Sequence, residues 1–404
     1  MKASVVIGSS FGDEGKGMVT NWLSDDQTTV VRFNGGAQAG HTVEHPTIGR
    51  TVFSHLGAGS HRDASTWLSD EFVLNPVIFR KEMEEFNKKV AWKPPVWYDY
   101  RCKFTTPWDM VINQEVEQKR ADGRHGSVGL GFGETIERYE QIGLTISIDG
   151  IHKCKKDFVN FMVDKWVPNR AKDLGIESRI EYIQDTFSNT RFVDQFFDDI
   201  DYFLANAKSV KASDPSNSIS IINGHRTSKI VCEGAQGLLL DQHFGTFPYV
   251  TRSSTGLMNI NKVAKLNHIT NIDVYYVTRC YLTRHGAGPL EHELPGPPVA
   301  NFADKTNKPN PFQGSLRFAP LNLNKLRARI DNDLKFSKLP KNLNLVVTCL
   351  DQIDGDDTIP VIVDGILKDL KSYELMGELM YFFPEFNLMA CFDAGGNTMR
   401  NWFT

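Results

Sequence analysis

The chain has 404 residues, 41% hydrophobic and 23% charged, with a formal net charge of -4. These values are ordinary for a globular protein with a large core, and the chain reads as a single domain over 1–404 with loop and helical insertions. Basic residues scattered among acids exclude a nucleic-acid-binding stripe, and no apolar stretch is long enough to span a membrane.

The first element is the apolar run "ASVVIGS" at 3–9, a strand apolar on both faces. It passes into "FGDEGKGMVTNWL", where Gly8, Gly12, Gly15 and Gly17 surround Lys16 ahead of residues that suit a helix. Such a strand-to-helix turn offers backbone N–H groups and a positive helix end to an anion, and Lys16 adds a point charge. The spacing is not that of the standard phosphate loop. Six residues separate Gly8 from Gly15, and Gly17 stands where a hydroxyl residue would hold magnesium. Asp13 therefore has two chemical uses, as a magnesium ligand replacing that hydroxyl or as a base toward a weakly acidic N–H. The plain alternative is a helix N-cap.

The second strand, "TTVVRF" (28–33), runs into "FNGGAQAGHT" (33–42), which offers Gln38 and His41. A histidine closing a glycine loop can give a proton or a hydrogen bond to a leaving phosphate. In "HGSVGLGFGE" (125–134), Ser127 suits a second phosphate. Helices are expected at 155–175, 190–208 and 257–266. The strand "SKIVCEGA" (228–235) ends in "EGAQG", where Gln236 is a neutral two-way hydrogen bonder suited to a purine edge. "IDVYYVTRCYL" (272–282) leads into "TRHGAGP", and "LNLVVTCL" (343–350) into "CLDQID". The proline- and asparagine-rich segment 288–325 reads as an ordered loop excursion.

Strands alternating with helices predict an α/β fold, a mostly parallel central sheet flanked by helices, with the loops converging at the carboxyl edge. Two phosphate sites on one sheet suggest a nucleotide donor and a nucleotide acceptor. Six cysteines without C-x-x-C or zinc spacing read as buried free thiols in a reducing compartment. With no signal peptide before the first strand, a cytoplasmic protein is expected.

In order, "GSSFGDEGKG", "NGGAQAGHTV", "VLNP" (73–76), "EGAQGLLLDQHFGTFPYVT", "TRHGAGPLEHEL" and "VVTCLDQIDG" resemble the motifs of adenylosuccinate synthetase. The resemblance implies that family's P-loop-NTPase-like fold and a homodimeric enzyme. It implies a reaction in which a nucleoside triphosphate and Mg2+ serve to join L-aspartate to C6 of a 6-oxopurine monophosphate. It implies roles for residues too. Asp13 takes the N1 proton, the 6-oxyanion attacks the γ-phosphate, and His41 stabilises the departing diphosphate. Gln236 polarises O6, and the aspartate amine displaces the 6-phosphoryl group. The triphosphate would lie on Gly12, Gly15, Lys16, Gly17, Gly40, Thr42 and Asp351, with Asp13 and Gly40 toward the metal. Ser10, Gln38, Ser127, Val128 and Thr251 would hold the monophosphate, and Gly314, Ser315 and Arg317 the aspartate.

The chain departs from the family pattern in the pockets. Cys349 in Thr348-Cys349-Leu350-Asp351 replaces the lysine that lies against guanine, although Asp351 remains. "SVGLG" (127–131) replaces "TTGRG", and "AQAGHT" replaces "HNAGHT". Ile142 in "EQIGLT" stands at a partner-subunit arginine, and Ser315 at an arginine near the ribose hydroxyl. Small Ser9 and Ser10 resemble a bacteriophage branch of the family that joins aspartate to dGMP for diaminopurine DNA, with ATP or dATP as donor. The expected activity is that one, with IMP, L-aspartate and GTP as the alternative set. A GTPase switch would need Ser or Thr after Lys16. A nucleotide-binding non-enzyme would be expected to lose Asp13 or His41.

Overall fold

In a computed structural model, the structure describes residues 1–143, 146–211, 228–299, 302, 314–353, 355–391 and 399–401. A ten-stranded sheet runs through the molecule. Its order is Arg400–Asn401, Asn387–Ala390, Lys341–Thr348, Asn271–Arg279, Lys2–Gly8, Lys229–Glu233, Thr28–Arg32, Ser65–Leu68, Val96–Asp99, Lys208–Val210. Every neighbouring pair is parallel except the first. Parallel strands need covered faces, and the central run is apolar on both. Val5 and Ile7 pack to one side with the helices Ile260–Leu266 and Leu323–Leu334, whereas Val6 packs to the other with Met18 and Val19. A second apolar cluster gathers the helices Pro76–Asn87, Pro107–Arg120 and Thr190–Asn206 beyond the sheet's far strands.

The expected strands at 3–9, 28–33 and 343–350 are present within a residue or two, and that at 228–235 is shorter, Lys229–Glu233. Three expectations need correction. The strand at 272–282 breaks at Cys280, whose N–H donates to the Thr348 carbonyl at 3.1 Å. Asn271–Arg279 stays in the large sheet, and Tyr281–Arg284 joins a four-stranded one with Arg317–Asn322, Ile359–Val363 and Ile366–Leu370. The helix at 155–175 is broken: Lys155–Phe161 and Val167–Leu174 flank a π-turn at Met162–Trp166. Pro168 lacks an N–H and crowds the carbonyl four residues earlier, so the helix widens there. The excursion 288–325 contains the buried strand Arg317–Asn322, and Asn322 caps the helix Leu323–Leu334 by accepting from the Lys325 N–H at 3.0 Å. Residues 300–301 and 303–313 of that segment lie outside the described residues. No helix among the described residues is long and apolar enough to cross a membrane. The six cysteines are free, and Cys102, Cys232, Cys280 and Cys391 are buried.

Candidate active site

The phosphate loop is built from backbone conformation. Gly12 (φ 91°), Asp13 (φ 58°) and Gly15 (φ 91°) are left-handed, which folds the chain back over the end of the first strand. Gly15 is the N-cap of the helix Lys16–Leu23, and no side chain caps it. The first-turn N–H groups are therefore left for an anion, and Asp13 is not the cap. Arg279 Nε donates to the Asp13 carbonyl at 2.5 Å, and Thr348 Oγ1 donates to the Glu14 carbonyl at 3.0 Å. Both strand ends thus fasten the loop from below.

Gly17, the residue in place of the hydroxyl, has a packing role. A Cβ there would lie 2.9 Å from His41 Cβ and 3.1 Å from the Thr42 carbonyl. Its absence lets the helix approach the strand His41–His45.

Lys16 is buried with Nζ 3.9 Å from Glu14 Oε2. Burial lowers the Lys16 pKa against the pull of Glu14 and Asp13. Burial pushes Glu14 up to about 7, although Lys16 and Arg329 oppose it. Arg329, on the helix Leu323–Leu334, donates from Nη2 to Ser10 Oγ at 2.7 Å. Ser9 Oγ donates to the Val277 carbonyl at 2.7 Å. Both serine hydroxyls face into the protein, so Ser10 is a support of the loop in this structure.

His41 Nδ1 lies 2.7 Å from Glu233 Oε1, and its Nε2 is buried without a protein partner. Glu233 and Arg32 are opposite each other in neighbouring strands, with Arg32 Nε 3.8 Å from Glu233 Oε2. Burial lowers His41, helped by Arg32 and Lys16 and opposed by Glu233. Burial pushes Glu233 up, but His41, Arg32 and the Ala58 N–H outweigh it and hold the carboxyl below its ordinary value. The pair is a neutral imidazole oriented by a carboxylate.

One cleft of about 860 Å3 joins these groups. Gly12, Asp13, Lys16, Gln38, Gly40, His41, Ser127, Val128, Gln236 and Thr251 all line it. Gln38 has both amide atoms, and Gln236 its Oε1, buried without protein partners. Ser127 Oγ donates to Asn113 Oδ1 at 3.1 Å, and the Thr251 N–H to the Leu240 carbonyl at 2.9 Å. Thr42 follows His41 in its strand, and Asp351 is exposed in the turn Leu350–Gln352; neither lines the cleft. Gly314 and Ser315 are exposed, also away from it. Arg317 is engaged elsewhere. Its Nε donates to Glu293 Oε1 at 2.7 Å, and its Nη1 to the Gly286 and Gly288 carbonyls at 3.1 and 2.9 Å.

Arg120, Arg170, Arg252 and Arg284 line the cleft, and Arg284 is stacked 4.5 Å over the Phe11 ring, where burial lowers it to about 10. His285 stands beside it with Nε2 3.3 Å from Asp13 Oδ2. Sequence reasoning missed Glu233, Arg284 and His285 as individuals, although "EGAQG" and "TRHGAGP" contain them. It missed Arg279 and Arg329 with no signal to find them by.

The donor set fits magnesium. Asp13, a third exposed on the cleft, would supply one carboxylate, and Gly40 lines the same cleft. Mg2+ takes few protein oxygens and fills its remaining positions with phosphate oxygens and water.

A family model described as Adenylosuccinate synthetase matches residues 5–310. The adenylosuccinate synthetase of Clostridium perfringens is 28% identical over 392 residues, covering 95% of this chain and 84% of that protein. That of Clostridium beijerinckii is 29% identical over 306 residues, covering 73% and 67%. Among solved structures, the fully ligated adenylosuccinate synthetase of Plasmodium falciparum has a TM-score of 0.72 at 18% identity, over 98% of this chain and 99% of its own. The succinoaminodeoxyadenylate synthetase of cyanophage S-2L, bound to dGMP and dATP as an energy donor, has a TM-score of 0.62 at 13% identity, over 99% and 95%. At those identities the two structures share the fold. The family model covers most of the chain and includes the phosphate loop, His41 and Gln236, so the chain belongs to the adenylosuccinate synthetase family of C–N bond-forming ligases.

Proposed function

We propose that the protein joins L-aspartate to C6 of dGMP, with ATP or dATP as donor, through a 6-phosphoryl intermediate. The observation that carries a two-nucleotide ligase is the single cleft holding an uncapped helix start, Asp13, His41, the unpartnered amide of Gln38 and the unpartnered Oε1 of Gln236. Asp13 accepts the N1 proton of the purine, and the O6 that gains charge attacks the γ-phosphate. Gln236, fixed at φ 56°, orients O6. Lys16 and the first-turn N–H groups hold the triphosphate. Glu233 turns Nε2 of His41 toward it and stabilises positive charge on the ring as the diphosphate departs. The aspartate amine then displaces phosphate at C6, forming the C–N bond and releasing a proton. Mg2+, held by Asp13 and the Gly40 carbonyl, would neutralise phosphate charge when bound.

The nucleotide choice rests on the positions where the chain departs from the motifs of the family it resembles. By that resemblance Cys349 brings no lysine to a guanine donor, Ser315 brings no arginine to a ribose 2′-hydroxyl, and Ser9 and Ser10 are small; none of the four lines the cleft, and both serine hydroxyls face inward. Asp351 favours the second reading, IMP with GTP. A homodimer fits the family, and Ile142 in the partner-arginine position makes each site more self-sufficient. Size-exclusion light scattering should give twice 45.6 kDa; a single-chain mass would remove the dimer.

The test of substrate is a matrix of IMP, GMP, dIMP and dGMP against ATP, dATP and GTP, with L-aspartate and Mg2+. Phosphate and succinylated product are both read. Turnover of dGMP with an adenine nucleotide is expected. Turnover confined to IMP with GTP would make the second reading correct.

A further inference from the structure

Asp13 is an unusual base to place in a phosphate loop, because its backbone is fixed but its carboxylate is not. Its φ of 58° and the Arg279 bond to its carbonyl immobilise the main chain. The side chain, a third exposed, projects into the open cleft. A carboxylate free to rotate there would spend little time aimed at one substrate proton.

His285, which also lines the cleft, reaches that carboxylate, Nε2 to Oδ2 at 3.3 Å. It is the more buried of the two, 17% exposed against 33%. The turn carrying it is pinned on both sides. Before it, Arg284 donates from Nη1 to the Pro289 carbonyl at 2.7 Å and stacks on Phe11, two residues from Asp13. After it, the Gly286 and Gly288 carbonyls accept from Arg317. A Cβ on Gly286 would lie 2.9 Å from Gly126 Cα, so the turn is also wedged against the Ser127 loop.

We propose that His285 is a positioning residue for Asp13: its Nε2–H holds Oδ2 and leaves Oδ1 to take the proton from the purine. Arg317 then acts at one remove, by fixing the turn that presents His285. This inference rests on the proposed ligase reaction with Asp13 as base. Fixing one oxygen of a base narrows the arc of the other, an effect realised in the reacting state rather than in binding.

The test uses the full chain and whichever nucleotide pair of the substrate matrix the wild type turns over. His285→Ala should lower kcat by about tenfold or more while KM for the monophosphate stays within about threefold. His285→Gln, whose amide N–H reaches the place of Nε2, should keep kcat within about threefold of wild type. His285→Asn, one bond too short, should be as slow as His285→Ala and decides the matter if the alanine variant does not fold. Thermal melts of each variant check the fold. An unchanged kcat in His285→Ala, a loss confined to KM, or a glutamine variant as slow as alanine would overturn the proposal. Wild type that makes no succinylated product from any pair would overturn the ligase reading itself. Active wild type with indifferent variants overturns this inference alone.

Discussion

Asp13 and His41 are the residues proposed to carry the chemistry, and their surroundings predict different losses. Asp13 is exposed at the cleft, and its backbone is held by Arg279 rather than by its own side chain. Asp13→Ala should therefore lower turnover by about a thousandfold, with a melting temperature near wild type; near-normal activity would sink the base assignment. His41→Asn should lower kcat by about a hundredfold with little change in KM, because its Nε2 meets charge that develops during phosphate transfer. A pure rise in KM would contradict that role. Both residues stood out in the sequence, Asp13 as an acid inside one glycine-rich loop and His41 as the histidine closing the next, each loop following an apolar strand. The supports did not. Arg329 meets Ser10 and Arg279 meets Asp13 across more than half the chain, and no spacing rule reports such contacts. Ser10 is the instructive case: its small size is visible in the sequence, but its attachment to Arg329 is not.

The loops are held in place by elements that interlock at very short range. Gly237 shows this best. Its φ of -148° suits any residue, yet a Cβ there would lie 2.3 Å from the Ser10 carbonyl oxygen and 2.8 Å from the Gly12 N. Both contacts are backbone, so neither can swing aside. Gly237→Ala should cost about 1–3 kcal/mol and should lower turnover by displacing the Asp13 loop. Urea denaturation with a parallel activity assay measures both, and a fully active, equally stable variant would show that the two loops are independent. The central strands were legible because their apolar runs follow from burial on both faces. The break at Cys280 was not, because "TRCYL" continues the apolar pattern while the chain changes sheets. The strand Arg317–Asn322 was hidden by the prolines and asparagines around it. The π-turn at Met162–Trp166 depends on local crowding at Pro168, which helical periodicity does not register.

At the scale of the whole molecule, one buried acid links the site's framework to pH. Asp333 accepts from the Leu257 N–H at 2.9 Å and the Tyr276 hydroxyl at 2.7 Å, tying the helix Leu323–Leu334 to a central strand. Burial raises it from 3.8 to about 6, partly offset by those two donors. A carboxyl raised in the folded state contributes stability below its unfolded value and loses it as pH rises through the folded one. The contribution is thus complete below about 3.8 and lost through about 6, a change of roughly 3 kcal/mol. Asp333→Asn keeps an acceptor for Leu257 and removes the ionisation. Between about pH 5 and about pH 8 the wild type should lose a few degrees more in melting temperature than the variant. Equal losses would place the pH dependence elsewhere.

The family was legible from its loops, and the α/β architecture followed from the alternation of elements. The choice of nucleotides is the central claim, and it rests on the motif positions where Cys349, Ser315, Ser9 and Ser10 stand. The direct measurement is a competition. Equal concentrations of dGMP and IMP share one reaction with L-aspartate, Mg2+ and both ATP and GTP, and the two succinylated products are separated by mass. Their initial ratio gives the ratio of kcat/KM without separate assays. The account predicts that the dGMP-derived product dominates by about tenfold or more. Dominance of the IMP-derived product would contradict it.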